Sequence, residues 1–195
     1  MLNRKQYFIR EHTGLLKLSD VYDILDPESK IKIGEAREEV SGLVKVLRLL
    51  ISKSLMPTRI AVYEGGDESS RKLLFSIRRG VALLRSKVDI TDAAGVSQGY
   101  LQSRVFSLGG AFGVFTADGT QVALVKGDWK GWNFRFMSGE TELGVVTKQW
   151  AGLGKELFTS ADNYIISING APDATINLLL IASGLAVDTV FKEQN

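Results

Sequence analysis

Few side chains in this sequence are equipped for chemistry, and their scarcity narrows the function before any fold is considered. His12 is the only histidine, and there is no cysteine. Histidine-rich metal sites, thiolate zinc sites, cysteine nucleophiles, disulfides and palmitoylation therefore lack their residues. A Ser-His-Asp triad would need His12 as its base. That residue follows the alternating run Gln6-Tyr7-Phe8-Ile9-Arg10-Glu11 and reads as a strand end. The pair Gly109-Gly110 lies between strand-like runs, with no following helix or Lys-Ser/Thr, so it is not a phosphate loop. The reading is of a chain that is not an enzyme and carries no cofactor motif or metal site.

Cations, by contrast, are concentrated. Net charge is only +2, too little for a commitment to nucleic acid, but the distribution is uneven. Residues 1–100 hold 17 Lys/Arg against 13 Asp/Glu, and residues 101–195 hold 7 against 9. Arg71, Lys72, Arg78, Arg79, Arg85 and Lys87 follow one another with no intervening acid, as do Lys45, Arg48, Lys53 and Arg59. Such runs attract anionic surfaces, at about 1 kcal/mol per cation beside an anionic bilayer. The candidate lipid-binding residues are Lys45, Arg48, Lys53, Arg59, Arg79 and Arg85. Arg78 and Arg79 fall on opposite faces of an alternating strand, so only part of the set can form one patch. The alternative is an ordinary solvated sheet face.

The elements that must position these cations are β-strands. Alternating runs recur, separated by turns such as Asp26-Pro27-Glu28-Ser29, Glu64-Gly65-Gly66-Asp67, Asp92-Ala93-Ala94-Gly95, Ala117-Asp118-Gly119-Thr120 and Ser138-Gly139-Glu140. Glycine supplies the positive φ that tight hairpins need. The spacing predicts about twelve strands in consecutive antiparallel hairpins within a single domain over 1–195, with no linker. Two segments depart from the pattern. Residues 41–56 (SGLVKVLRLLISKSLM) read as a basic amphipathic helical insertion stopped by Pro57. Residues 173–190 (DATINLLLIASGLAVDTV) begin after Pro172 and are apolar on every face over 178–187, apart from Ser183. That describes a buried helix, because a membrane span needs about twenty apolar residues. The N-terminus has no apolar signal-peptide core, so the protein reads as cytoplasmic, peripheral to membranes if it meets them at all.

Three stretches resemble a known family. Residues 101–127 (LQSRVFSLGGAFGVFTADGTQVALVKG) are similar to the strand-turn-strand unit of LURP-one-related and phospholipid scramblase proteins. Trp129-Lys130-Gly131-Trp132-Asn133-Phe134-Arg135-Phe136, then Lys148-Gln149-Trp150, then the segment to Tyr164, resemble the scramblase signature of a Trp-ended strand before a turn. Residues 178–193 (LLLIASGLAVDTVFKE) are similar to the family's terminal helix. The resemblance implies a mainly β fold: a closed twelve-stranded antiparallel tubby-like barrel around a central hydrophobic C-terminal helix. The physics agrees, since a barrel so wide needs a filling.

Animal scramblases link calcium to lipid movement through an acidic segment at the position of residues 160–171. Here Asp162 is the only carboxylate of that segment, and Ser160 and Ala171 replace acids. Calcium binding is not expected, because hard cations need several oxygen ligands. The more distant tubby proteins bind phosphoinositide headgroups through basic surface residues. The resulting expectation is a scramblase-related peripheral lipid- or membrane-binding protein, its partner an anionic phospholipid surface. The alternatives are a soluble interaction or scaffold module with a protein partner, and an enzyme with an unrecognised site.

Overall fold

The computed structural model describes residues 1–12, 20–39, 57–67, 69–80, 87–103, 111–128, 132–148, 163–171 and 173–188. The alternating runs form twelve strands: β1 (Gln6–Glu11), β2 (Val21–Leu25), β3 (Lys32–Glu38), β4 (Thr58–Glu64), β5 (Lys72–Arg79), β6 (Lys87–Asp92), β7 (Ser97–Ser103), β8 (Phe112–Thr116), β9 (Gln121–Asp128), β10 (Asn133–Ser138), β11 (Thr141–Thr147) and β12 (Tyr164–Ile168). Each pairs antiparallel with its sequence neighbours. β1 pairs with β12 through Gln6↔Ser167 to Ile9↔Tyr164, and the sheet closes into a barrel. Closure leaves no sheet edge exposed.

Up-and-down connectivity puts alternate connections at opposite ends. At one end are the tight hairpins 26–31, 65–71, 93–96, 117–120 and 139–140. Their chemistry is the one expected of Asp and Gly. The Asp67 carboxylate accepts from the Ser69 and Ser70 amides at 3.0 and 2.9 Å, and Asp92 accepts from Ala94 and Val96, both at 2.9 Å. Gly119 and Gly139 supply φ of 89° and 59°. The strand termini at the other end are joined by residues 12–20, 39–57, 80–86, 104–111, 129–132 and 148–163, most of which lie outside the described residues. The insertion expected at 41–56 is among the residues outside the described ones.

Helix α1 (Ala174–Ala186) fills the lumen. Asp173 caps it, its carboxylate accepting from the Ile176 amide at 2.8 Å. Every residue of 178–186 is buried. Inward-facing Phe75, Ile77, Val114, Val125, Phe134, Phe136 and Ile166 form one core with it. Burying each large aliphatic of the helix stabilises by about 2 kcal/mol. The lumen is tight enough that glycine marks the closest approaches. A Cβ on Gly184 would lie 2.7 Å from Ile166 Cδ1, and one on Gly127 would lie 2.1 Å from Phe134 Cδ1. Tyr7 fastens the N-terminal segment across the hairpin end, its hydroxyl donating to the Arg4 carbonyl at 2.8 Å. There Asn177 also donates to the Leu2 carbonyl.

The outer wall is charged. Arg10, Arg59, Lys87, Asp89 and Arg135 have half or more of their side chains exposed. A lipid-embedded barrel presents an apolar band instead. Among the described residues, no helix is long and apolar enough to cross a membrane.

Candidate lipid-facing surface

The candidate cations belong to the strands β3 to β6 and the connections between them. Arg59 and Arg78 stand directly opposite each other across β4 and β5. Both are exposed on the outer wall. Arg59 Nε lies 3.2 Å from Glu39 Oε2. Arg78 is opposite Asp89 on β6, and Lys87 Nζ lies 3.0 Å from Asp89 Oδ1. Lys87 also sits 4.4 Å above the Tyr100 ring, which stacks on Phe115 at 4.9 Å. This stretch of wall is therefore a mixed-charge ladder.

Arg79 corrects the expectation. It shares the inward parity of Phe75 and Ile77, is 1% exposed, and donates from Nη2 to Thr58 Oγ1 at 3.2 Å. A guanidinium packed in the lumen cannot meet a membrane surface, and Arg78 is the member of the pair that faces out. Lys45, Arg48, Lys53 and Arg85 lie outside the described residues. Their connections, 39–57 and 80–86, join the neighbouring strands β3 to β4 and β5 to β6 at the same end of the barrel.

The two sets of connections differ in charge by sequence. By sequence, the six connections that alternate with the hairpins carry nine Lys/Arg against four Asp/Glu, and all but Lys148 of the nine lie outside the described residues. The five hairpins carry six acids, at Asp26, Glu28, Asp67, Glu68, Asp118 and Glu140, against Lys30 and Arg71. The first set is thus basic by sequence and the hairpins acidic. At the hairpin end lies a cleft of about 430 Å³, lined by Arg4, Lys5, Asn169, Asp173 and Asn177 among others. Its Arg4 is ion-paired with Asp26.

Two polar clusters were not singled out from the sequence. Inside the lumen, toward the C-terminal end of α1, Tyr22, Tyr164 and Asp188 are buried close enough to influence one another, and Glu38, Arg79, Thr58 and Asn163 are buried as well. Burial, reinforced by the negative charge of Asp188, pushes both phenols well above their ordinary pKa, so they stay protonated. Trp132 packs against Tyr164 with ring centroids 5.3 Å apart, and Lys148 Nζ lies 4.2 Å over Trp132. Of the other tryptophans, Trp129 and Trp150 lie outside the described residues, as does Asp162. The expected core placement of Phe134 and Phe136 holds, both being 0% exposed.

The second cluster is on the outer wall. Asp23 is only 4% exposed and receives Arg10 at 2.9 Å, His12 Nε2 at 2.7 Å and Lys32 at 2.7 Å. Burial pushes its carboxyl up, but the three donors outweigh it and hold the pKa at about 2. His12 is thus a structural partner at the end of β1, in keeping with its reading as a strand-end residue. The signal for this cluster lay in β1 and β2 pairing, which sets Arg10 opposite Asp23.

Together these features define a helix-filled antiparallel barrel with a charged outer wall. The family model described as Scramblase matches residues 68–194, from the β4–β5 hairpin through α1 and beyond. The chain belongs to the scramblase family. No curated protein and no solved structure matches it.

Proposed function

We propose that this scramblase-family barrel is a peripheral membrane protein that binds anionic phospholipid surfaces without catalysis. The observation that carries the reading is compositional: nine Lys/Arg against four Asp/Glu in the six connections that alternate with the hairpins. An excess of about five charges is worth on the order of 5 kcal/mol beside an anionic leaflet. That gives a weak, salt-sensitive attachment. The charged wall supports contact from outside the bilayer, since immersion would desolvate Arg59, Arg78 and Arg135. The likeness to tubby proteins, which hold headgroups through basic residues, points the same way. A second reading, a protein-binding module, draws support from Arg59 and Lys87, whose acidic partners Glu39 and Asp89 already offset much of their charge.

Vesicle flotation separates the two. Wild-type protein is expected to float with phosphatidylserine-containing vesicles and not with neutral ones, and to lose binding as salt rises. Lys45→Glu, Arg48→Glu and Lys53→Glu together should abolish flotation. Thermal stability, measured alongside, should stay close to that of the wild type. Equal flotation on neutral vesicles, or none on anionic ones, would defeat the proposal.

A further inference from the structure

The fold separates two sites that the sequence makes alike. Asn or Asp precedes glycine at Asp118-Gly119 and Asn169-Gly170 and nowhere else in the chain. In such a pair the glycine nitrogen can attack the side-chain carbonyl carbon of the residue before it and close a succinimide ring, because glycine has no Cβ to crowd the approach. The attack needs an N–H that no acceptor holds and a side chain free to turn. At the β8–β9 tip both conditions fail. The Gly119 amide donates to the Thr116 carbonyl at 3.0 Å. Asp118 Oδ1 accepts from the Thr120 amide at 3.1 Å and from the Thr116 hydroxyl.

Between β12 and α1 both conditions are met. Asn169 and Gly170 are exposed. The Asn169 amide donates to the Leu143 carbonyl at 2.8 Å, which holds the residue at the strand end. Among the described residues, neither the Asn169 side chain nor the Gly170 amide has a hydrogen-bond partner. A Cβ on Gly170 would meet nothing within 4 Å, so the chain there has room to rotate. We propose that Asn169 is a self-modifying site, converting to aspartate and isoaspartate in the folded protein. The Gly170 nitrogen gives its proton to hydroxide and bonds to Asn169 Cγ, and the Cγ–Nδ2 bond breaks as ammonia leaves. Water then opens the ring. Cleavage between Cγ and the Gly170 nitrogen gives aspartate, and cleavage between the Asn169 main-chain carbonyl carbon and that nitrogen gives isoaspartate. Nothing is oxidised or reduced, and water is the only co-reactant. Either product sets a carboxylate, ionised at neutral pH, in the lining that Asn169 shares with Arg4, Lys5 and Asp173. Isoaspartate also lengthens by one methylene the main chain that ties β12 to α1.

The test is to hold the purified, folded protein at physiological temperature, at neutral and at mildly alkaline pH. Digestion under mildly acidic conditions and mass spectrometry then resolve asparagine, aspartate and isoaspartate peptides. Most of the Asn169 amide should be lost, faster at the higher pH, while residue 118 stays aspartate. Gly170→Ala meets open space without a positive φ, so it should melt like the wild type and keep most of its Asn169 amide over the same period. An intact Asn169 amide in the aged wild type would overturn the proposal. Loss at an equal rate in Gly170→Ala would overturn it too, because the attacking nitrogen would then not be the cause. Isoaspartate at 118 as fast as at 169 would show that the fold does not choose between the two sites.

Discussion

Asp23 is an outward-facing residue of β2 that is nevertheless buried, and the cations around it make acid its weak point. Its folded pKa, about 2, lies below the ordinary value of about 3.9. Its contribution is therefore fully present above about pH 4 and disappears as pH falls toward 2. Glu35, held below its usual range by Lys32 and Arg37 despite burial, acts in the same direction. Melting temperature should hold between pH 7 and 5 and decline between 4 and 2. Asp23→Asn should lower stability at neutral pH and flatten that acid decline; an unchanged decline would show that the Asp23 cluster does not set it.

Arg78 and Arg79 make a second contrast between neighbours. Truncating Arg79 to Ala empties a large buried volume and removes a donor to Thr58, at a cost of about 2 to 3 kcal/mol. Arg78→Ala should stay within about 0.5 kcal/mol of wild type, because it is exposed. Denaturant titration of the two variants checks the order. Their different faces were legible in the alternation, and the inward parity of Phe75 and Ile77 already pointed to Arg79 as the buried one. The basic character of the surrounding run obscured that signal.

At the scale of elements, strands and turns were readable because each rule is local. The run Phe112-Gly113-Val114-Phe115-Thr116 and the Asp118-Gly119 tip needed only alternation and positive φ, and β8 falls at the expected residues. The apolar segment after Asp173 gave α1 for the same reason, with the helix described over Ala174–Ala186 and residues 189–190 outside the described residues. The lumenal set of Tyr22, Tyr164 and Asp188 was not readable. Its members meet only once the barrel closes around the helix, a condition no local pattern carries.

Packing of α1 against the wall makes a prediction of its own. Gly184→Ala gains helix propensity of about 1 kcal/mol but forces Ile166 aside. Overpacking of this kind costs about 1 to 3 kcal/mol and should win. Shortening Ile166 to Ala in the same chain should recover part of the loss, giving a double variant more stable than the two single effects added together. Strict additivity would mean that Ile166 and Gly184 do not define the approach.

For the whole molecule, two properties bear on how it meets a membrane. Its outer wall is charged, and its apolar helix is enclosed by twelve strands. The central claim is that the protein touches lipid while α1 stays inside. Photolabelling of vesicle-bound protein with a reagent confined to the bilayer core, followed by peptide mapping, tests it most directly. The account predicts no label across residues 174–186. Label concentrated in that helix would contradict it, showing that α1 leaves the barrel to enter the membrane.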